Sequence, residues 1–287
     1  MRASIVIPTF NRKEKVCLLL QRLAPQVSHD IEVIVVVDGS TDGTFEQLEK
    51  SQFDIKNLTL INQGNKGRAG ARNSGAFSAK APIIVFFDDD IIPTDSLLQD
   101  HIAAHKRFDI VVGGLKSQDI HGNKEMYIFS EYLNQKWTKD INQNVAPYIT
   151  ANNFSIKIEI FTSVGGFDER LNDSEDLDLA IRLTMKGYTI SQLNELVAFL
   201  PLNATFSETF RRLKEYKAGR VVLNNTNPVV KDYIPSNVFP NPLKRLFFFL
   251  FSFSFLYRLV DQGFFLFLPK AWRMKIYDWM MTGNMMY

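Results

Sequence analysis

Residues 82–90 read PIIVFFDDD, an apolar run that ends in three consecutive aspartates. The apolar part, Ile83–Phe87, has the composition of a buried strand, which is short, continuous and rich in branched and aromatic side chains. Asp88, Asp89 and Asp90 repel one another, so a fold that keeps them together is expected to bring a cation to them. Alternate residues of an extended segment point the same way, which predicts that Asp88 and Asp90 converge while Asp89 faces elsewhere.

The same pattern, an apolar run followed by polar residues, recurs along the first 115 residues. Strands are predicted at Ala3–Ile7, Glu32–Val37, Leu58–Ile61, Ile83–Phe87 and Ile110–Val112, with helices at Lys13–Ala24, Thr44–Lys50, Gly67–Ser78 and Ser96–Phe108. Alternating strands and helices indicate a doubly wound, mostly parallel α/β sheet with right-handed crossovers. Ligands of such sheets bind outside the carboxyl ends of the strands. The candidate site is therefore formed by residues 8–12, 38–44, 62–73 and 88–90.

Bulk composition excludes several kinds of function. A net charge of +2 gives no electrostatic case for a nucleic-acid partner. Cys17 is the single cysteine, which excludes a disulfide framework and a multi-cysteine zinc site. His101 and His105 share a helical face without a third ligand nearby, so we interpret them as surface residues. The first residues form a strand pattern instead of a secretory signal, which favours a cytoplasmic location.

The loops after the strands carry side chains suited to a phosphate or nucleotide ligand. Asp38, at the end of a buried strand, is placed to accept a hydrogen bond from a nucleobase. Arg72 lies on a helix whose first turns consist of small residues, so the helix can approach a phosphate closely. Asp88 and Asp90 offer the oxygen ligands that Mg²⁺ and Mn²⁺ prefer. The helix predicted at 174–186 begins with carboxylates, one of which can act as a general base if it faces the sheet edge.

Six motifs in a fixed order connect these loops to a known family. They are PTFNR (8–12), DGSTDGT (38–44), GRAGARN (67–73), FFDDD (86–90), GGFDE (165–169) and SEDLDLAIRL (174–183). In this order and spacing they resemble the family 2 glycosyltransferases with the GT-A fold, over roughly residues 3–200. The resemblance implies a nucleotide-binding, mostly parallel sheet fused to a mixed acceptor-side region. It also implies a nucleotide-diphospho-sugar donor as a partner.

The resemblance assigns donor contacts to residues of this chain. Those expected to contact the donor nucleotide are Pro8, Thr9, Asp38, Arg72, Asp88 and Asp89. Asp88 and Asp90 would act at the ribose and the metal as an Asp-x-Asp motif that holds Mn²⁺ or Mg²⁺. No histidine follows the second acidic motif, so phosphate and water are expected to supply the remaining metal ligands.

The same resemblance implies the catalytic group and the reaction. Asp176, in the Glu175–Asp176 pair, would be the base that deprotonates the acceptor hydroxyl. One base predicts a single displacement with inversion, as part of cell-envelope glycan, glycolipid or polysaccharide synthesis. A UDP-sugar is favoured as the donor, and a glycan, a lipid-linked molecule or a small molecule as the hydroxyl acceptor.

Three regions follow from these assignments. Residues 1–115 would bind the nucleotide-sugar, and residues 116–227 would form the acceptor-side and catalytic-base half of the same GT-A domain. Residues 228–287 would form a proline-rich connector and a hydrophobic, basic C-terminal helical segment that associates with a membrane or packs on protein.

The last 47 residues, 241–287, have a composition of their own, with six basic and two acidic side chains. The uncharged run Leu246–Tyr257 spans 12 residues, about 18 Å as a helix against about 30 Å of bilayer hydrocarbon. A transmembrane helix is therefore disfavoured. A helix lying in the interface at the inner face of the cell membrane is predicted, because basic residues flank the run on both sides. The alternative is a helix packed on the catalytic domain or on a second subunit of a homodimer.

Two other functions remain open at this point. A sugar-nucleotide nucleotidyltransferase also uses an α/β sheet and aspartate-bound Mg²⁺, but it is expected to carry a glycine-rich basic loop where this chain has PTFNR. A non-catalytic nucleotide-sugar-binding subunit would not need both the aspartate triplet and the Glu175–Asp176 pair.

Overall fold

A computed structural model describes residues 1–120, 122–141, 148–171, 173–202, 205–233 and 241–286. The chain forms two compact units, the first from Met1–Lys116 and Pro147–Leu200 and the second from Ser117–Ala146 and Pro201–Tyr287. Part of the predicted connector, 234–240, lies outside the described residues. The functional boundaries at 115 and 227 stay a prediction, because compactness does not test which residues bind donor or acceptor.

Within the described residues, the first unit is built on one eight-stranded sheet. Its strands are β1 (Ala3–Thr9), β2 (Ile31–Asp38), β3 (Leu58–Gln63), β4 (Ile83–Phe87), β5 (Ile92–Pro93), β6 (Ile110–Gln118), β7 (Asn153–Lys157) and β8 (Ser191–Pro201). They lie in the order β3-β2-β1-β4-β7-β6-β8-β5. The strands β3, β2, β1 and β4 are parallel, whereas β7 runs antiparallel to β4 and β6. The predicted α/β sheet, parallel in its first half and mixed in its second, is confirmed.

Helices connect these strands and form the second unit. In chain order they are α1 (Lys13–Leu23), α2 (Thr44–Lys50), α3 (Gly67–Ser78), α4 (Leu97–Ala104), α5 (Lys124–Ile141), α6 (Ile158–Ser163), α7 (Glu175–Met185), α8 (Phe206–Thr226), α9 (Val230–Tyr233), α10 (Pro242–Phe251), α11 (Ser254–Asp261) and α12 (Lys270–Met286). The bounds of α2, α3 and β4 are those predicted from the sequence. The strands β5 and β8, which pair with each other, were not predicted.

Both faces of the parallel strands are covered, which explains their continuous apolar sequences. All eight residues of β2 are buried. On one face Ile5 and Val33 pack with Leu19 of α1; on the other, Val6 packs with Ala76 of α3. Each such side chain contributes about 1.5–3 kcal/mol when it is removed from water, so the sheet is a rigid base for the loops at its edge.

Gly75 allows α3 to lie close to the sheet. A Cβ atom at this position would stand 2.4 Å from Val6 Cγ1 and 3.1 Å from Val36 Cγ2. Only a residue without a side chain fits between the helix and the strands. This close approach sets the distance from the sheet of Arg72, which lies one turn earlier on the same helix.

The prediction that His101 and His105 are surface residues is wrong. His101 is 0% exposed and His105 is 8% exposed, because α4 packs against β7. Ser155 Oγ lies 2.8 Å from His101 Nδ1 and 2.8 Å from His105 Nε2. Burial lowers the pKa of each imidazole to about 4, so both rings are neutral at pH 7.

The direction of each hydrogen bond in this buried cluster follows from Asn153. Its Nδ2 donates to two backbone carbonyls, so its Oδ1 accepts from His101 Nε2 at 2.8 Å. A neutral His101 then accepts at Nδ1, which requires the Ser155 hydroxyl to donate to it and to accept from His105 Nε2. The sequence argument considered only metal ligands on one helix and overlooked polar side chains on a distant strand.

The second unit has its own apolar core. Aromatic rings of α5, α8 and α12 meet there, with Phe129 and Phe206 stacked at 5.6 Å and Tyr277 at 4.8 Å from Phe206 between ring centroids. Beside these rings Arg273 Nε donates to Glu125 Oε1 at 2.7 Å. In the parts of the chain that the structure describes, no helix combines the length and apolarity needed to cross a bilayer.

We expect Gly75→Ala to lower the free energy of unfolding by about 1–3 kcal/mol, because the added methyl group overpacks the contact between helix and sheet. Urea titration measures this change. Gly64→Ala is the matched control, since a Cβ at Gly64 meets nothing within 4 Å. Equal stabilities of the two variants would contradict the close-packing argument.

Candidate active site

Polar side chains from several loops meet at one edge of the first unit's sheet. Because β1, β2 and β4 are parallel neighbours, the residues that end them lie side by side. Thr9 and Asp38 end β1 and β2, and Asp88 follows β4 directly. Pro8 lies partly buried in β1, one residue before Thr9. The structure thus brings these residues, all proposed from the sequence, to the same edge.

Arg72 is a buried cation held between two carboxylates. Its Nη2 donates to Asp88 Oδ1 at 2.7 Å and its Nη1 donates to Glu175 Oε1 at 2.6 Å. The guanidinium also lies 5.7 Å from the centre of the Phe167 ring. Although burial opposes the charge, the two carboxylates raise the pKa of Arg72 above its ordinary value. One guanidinium therefore links the aspartate triplet to the start of α7.

The other two aspartates are held by the loop after β1. The Thr9 hydroxyl donates to Asp89 Oδ2 at 2.7 Å, and Arg12 Nη1 lies 2.9 Å from both Asp89 Oδ1 and Asp90 Oδ2. Lys15 Nζ lies 3.5 Å from the same Asp90 oxygen. Burial raises the pKa of Asp89 to about 6, and the Arg12 charge opposes this shift. Asp89 and Asp90 therefore share one guanidinium nitrogen, whereas Asp88 bonds Arg72, so the predicted pairing of Asp88 with Asp90 does not appear among these hydrogen bonds.

Arg12 and Lys15 are functional candidates that the sequence reasoning missed. The motif PTFNR was recognised, but roles were assigned only to its first two residues. Two observations could have identified them: three adjacent carboxylates need cations nearby, and β1 and β4 were expected to be parallel strands of one sheet. Basic residues just after β1 were the natural candidates.

Glu175 and Asp176 begin α7, preceded by Ser174 in the left-handed region at φ 69°. Glu175 is turned towards Arg72, whereas Asp176 Oδ1 accepts a hydrogen bond from the Leu177 amide at 2.8 Å. Burial, followed by the charge of Glu175, raises the pKa of Asp176 to about 7, against the opposing charge of Arg72. A carboxyl group that titrates near neutrality is well matched to proton abstraction.

Asp38 ties two loops of the site together. Its Oδ1 accepts from Gln63 Nε2 at 2.8 Å and from the Lys66 amide at 2.9 Å. The next residue, Gly39, has φ 77°, and a Cβ there would lie 2.7 Å from the Asn65 amide nitrogen. The carboxylate is buried and fixes the loop that leads into α3.

Asn73, one residue after Arg72, connects α3 to the GGFDE motif and was also overlooked in the sequence. Its Oδ1 accepts from the Phe167 amide at 2.9 Å, and its Nδ2 donates to the Phe167 carbonyl at 2.9 Å. Nδ2 also lies 3.0 Å from Glu169 Oε1. A cavity of about 420 Å³ opens beside these residues. The motif is therefore held against the helix that carries Arg72.

The residues at this edge fit a divalent cation such as Mg²⁺ or Mn²⁺. Asp88 and Asp90 provide partly exposed carboxylate oxygens, the ligand type that these ions prefer. The cluster around the aspartate triplet and the start of α7 contains five carboxyl groups and three cationic side chains. They are Asp88, Asp89, Asp90, Glu175 and Asp176, against Arg12, Lys15 and Arg72. Because the pKa values of Asp89 and Asp176 are raised to about 6 and about 7, the net negative charge of the cluster near pH 7 is at most two. Among the described residues no group of three or more His, Cys, Asp or Glu could hold a metal by itself, so phosphate or water would complete the coordination.

Comparison with known proteins agrees with this architecture. The model of Glycosyl transferase family 2 matches residues 4–165. The uncharacterized glycosyltransferase YfnE of Bacillus subtilis is 37% identical over 117 residues, which cover 40% of this chain and 30% of YfnE. The chain thus spans less than a third of the length of this relative.

Two solved structures share the fold. S. aureus TarS in complex with UDP is 20% identical with a TM-score of 0.52, covering 95% of this chain and 77% of that chain. The mannosyltransferase PcManGT from Pyrobaculum calidifontis, in complex with GDP-Man and Mn²⁺, is 15% identical with a TM-score of 0.58, covering 98% and 85%. At these identities the likeness establishes the fold, a GT-A-like α/β architecture. Because the family model matches more than half of the sequence, the chain belongs to glycosyl transferase family 2.

Proposed function

We propose that this protein transfers a sugar from a nucleotide-diphospho-sugar to an acceptor hydroxyl with inversion at the anomeric carbon. The observation that carries the proposal is the Arg72 guanidinium, which bonds both Asp88 and Glu175. Asp88 belongs to the carboxylates that could hold a metal and the donor diphosphate, and Glu175 begins the helix that carries Asp176. The carboxyl group of Asp176 has a pKa raised to about 7. We favour a UDP-sugar as the donor; TarS, which has the same fold, is known in complex with UDP.

The proposed reaction is a single displacement. The acceptor oxygen attacks the anomeric carbon from the face opposite the diphosphate, and Asp176 takes the hydroxyl proton. The bond from the anomeric carbon to the diphosphate oxygen breaks, and the diphosphate leaves with the electron pair. The transition state has oxocarbenium character, as in other glycosyl transfers. Glu175 assists Asp176 because its negative charge raises the pKa of the neighbouring carboxyl group.

A divalent cation fits this scheme at Asp88 and Asp90. When bound, Mg²⁺ or Mn²⁺ neutralises charge on the leaving diphosphate. Pro8, Thr9 and Asp38 are proposed to contact the nucleoside, and Arg72, Asp88 and Asp89 the rest of the nucleotide. Thr9 and Asp89 are already bonded to each other, so they would do this as one preformed unit.

The three candidate functions differ in substrate and in released product. Release of UDP or GDP from a sugar nucleotide marks a glycosyltransferase, release of pyrophosphate from a nucleoside triphosphate and a sugar phosphate marks a nucleotidyltransferase, and no product marks a binding subunit. Assays with each set of substrates in the presence of Mn²⁺ or Mg²⁺ separate the three. The geometry favours transfer, since neither alternative requires a base of raised pKa beside the metal carboxylates.

We further propose that the second unit binds the inner face of the cell membrane through 241–275. No residue of α10 is buried, and both Leu243 and Phe267 are 75% exposed. Other large apolar side chains of this segment that are exposed are Leu246, Phe247, Phe249, Leu250, Phe253, Phe255, Phe264, Leu266 and Trp272. An apolar surface of this extent marks a contact with lipid or protein.

Charge selects an anionic lipid surface as the occupant. Five of the six basic side chains of this segment are exposed, Lys244, Arg245, Arg258, Lys270 and Lys275, and the sixth, Arg273, is partly buried and bonds Glu125. The acidic residue Asp261 accepts hydrogen bonds from the first amides of α8, so its charge serves that helix terminus. Two copies of such a basic surface would repel each other, whereas anionic headgroups attract it. An acceptor that is lipid-linked or part of the cell envelope fits this location.

Asp176→Asn is expected to lower turnover by about 10²- to 10⁴-fold, the usual contribution of a general base. Donor affinity should stay within about twofold, because Asp176 acts on the acceptor. Released nucleoside diphosphate and donor titration calorimetry measure the two quantities. Asp95→Asn, at an exposed carboxylate, is the isosteric control. If Asp176→Asn kept near-normal turnover while donor binding was unchanged, Asp176 would not be the general base.

The raised pKa of Asp176 also predicts a pH dependence of stability in the ligand-free protein. The carboxyl pKa rises from about 3.9 in the unfolded chain to about 7 in the folded state. The folded state therefore holds more protons in this window, and its free energy of unfolding falls as pH increases from about 4 to about 7. Asp176→Asn removes this loss, so its stability relative to the parent protein should increase with pH up to about 7 and then level off. Urea titrations at several pH values measure the difference, and a constant difference would contradict the raised pKa.

For the membrane surface we expect Leu243→Ser/Phe267→Ser to weaken binding to vesicles with phosphatidylglycerol by at least tenfold. Co-sedimentation measures binding, and pure phosphatidylcholine vesicles should bind the parent protein less well. The matched control is Leu18→Ser/Phe77→Ser, an exposed leucine and phenylalanine outside the segment. Equal binding by both variants would contradict the proposal. A parent protein that sediments as a dimer, and is monomeric with the first pair of substitutions, would assign the surface to a second subunit.

A further inference from the structure

Arg12 and Lys15 both contact one carboxylate oxygen of Asp90, the outermost residue of the aspartate triplet. Arg12 Nη1 lies 2.9 Å from Asp90 Oδ2, and Lys15 Nζ lies 3.5 Å from the same atom. Arg12 also reaches Asp89 Oδ1 at 2.9 Å. Two positive groups on one carboxylate oxygen form a local counter-ion for the aspartate triplet.

The two arginines of the site differ in how easily they can leave their partners. The side chain of Arg72 is 4% exposed, whereas that of Arg12 is 44% exposed. Withdrawing Arg72 would strand buried charges, which is strongly destabilising. The contact of Arg12 with Asp90 joins two partly exposed side chains, 44% and 24% exposed, and can exchange with water at little cost. The other partner of Arg12, Asp89, is buried and keeps a second hydrogen bond from Thr9. Arg72 is thus a fixed cation and Arg12 an exchangeable one.

Asp89 keeps a partner when Arg12 leaves, since the Thr9 hydroxyl donates to its other oxygen at 2.7 Å. Asp90 has no such second anchor among the hydrogen bonds of the described residues; its side chain accepts only from Arg12 and Lys15. Release of the two cations would therefore free Asp90 for another ligand while the turn itself stays in place. Asp89 is thus held in place by Thr9, whereas Asp90 can exchange its partners.

We propose that Arg12 and Lys15 are built-in counter-ions that hold Asp90 in the metal-free protein and exchange with a divalent cation, an inference that rests on the metal-dependent function proposed above. A divalent cation held by Asp90 would repel the guanidinium and the ammonium group that lie against the same carboxylate. Both groups must then turn away from Asp90. The anionic diphosphate of a nucleotide at the same edge is the partner that can take them up.

This exchange couples metal binding to nucleotide binding. Without a nucleotide, the metal must displace two cations that gain no new partner, so it binds weakly. With a nucleoside diphosphate present, the displaced cations pair with phosphate oxygens, and each ligand strengthens the other by the same factor. Arg12 would be a positioning residue for the donor, and its effect on the metal would have opposite signs with and without nucleotide.

The test is Mn²⁺ binding measured by the electron paramagnetic resonance signal of free Mn²⁺, without nucleotide. Arg12→Gln should bind Mn²⁺ about two- to fivefold more tightly than the parent protein, because a competing ion pair of about 0.5–1 kcal/mol is removed. Lys13→Gln is the matched control, since it removes one positive charge from the adjacent residue, whose Nζ lies 4.0 Å from Glu14. Unchanged or weaker Mn²⁺ binding by Arg12→Gln, relative to Lys13→Gln, would overturn the proposal.

A second measurement uses UDP titration calorimetry with and without saturating Mn²⁺. The parent protein and Lys13→Gln should gain more UDP affinity from Mn²⁺ than Arg12→Gln does, and an equal gain in all three would overturn the coupling. Asp90→Asn separates the proposed metal site from the proposed exchange, because it should abolish Mn²⁺ binding in the parent protein and in both variants. If no protein binds Mn²⁺, the proposed metal site fails and the counter-ion exchange fails with it. Mn²⁺ binding that depends on Asp90 but not on Arg12 would remove the exchange alone.

Discussion

The buried guanidinium of Arg72 is the interaction on which the site depends. It lies between Asp88, which follows β4, and Glu175, which begins α7. These residues are far apart in the chain, and without the cation their carboxylates would repel each other in a poorly hydrated place. The small residue Gly75 brings α3 close enough to the sheet for the guanidinium to reach both. The ion pairs of Arg72 therefore depend on backbone packing, because α3 must lie close to the sheet before the guanidinium can reach both carboxylates.

The cationic side chains of the site differ in burial and in the carboxylates that they contact. The buried arginine organises the carboxylates permanently, whereas the exposed arginine and lysine after β1 occupy the outermost aspartate. The carboxyl groups of this cluster outnumber its cationic side chains, which is consistent with the divalent ion proposed above. In the neighbouring pair Glu175–Asp176, burial and then the charge of Glu175 raise the pKa of Asp176. The same cluster of acids thus underlies both the proposed metal site and the proposed general base.

Much of the fold was predictable because its periodicity is local. The bounds of α3 and β4 came directly from the pattern, and the aspartate triplet was recognised as the end of a buried strand. The failures involve partners that are distant in sequence. His101 looked exposed because Ser155, its partner, lies on a strand 54 residues later. The short strand β5 is defined only by its pairing with β8. The role of Arg12 can be seen only from its contacts with the aspartates that follow β4. Sequence motifs identified which loops form the site but not which charges in them pair.

The histidine cluster between α4 and β7 has a consequence for tolerance of acid. Both imidazoles have a pKa lowered by burial to about 4, against about 6.5 in an unfolded chain. The unfolded chain therefore binds more protons, and the folded state loses stability as pH falls from about 6.5 towards 4. The hydroxyl proton of Ser155 already fills the site on His101 that an added proton would need, so charging the ring requires this hydrogen-bond chain to reverse. Acid would thus destabilise the fold through a buried cluster whose His101 ring lies 6.0 Å from the ring of Phe87, the residue directly before the aspartate triplet.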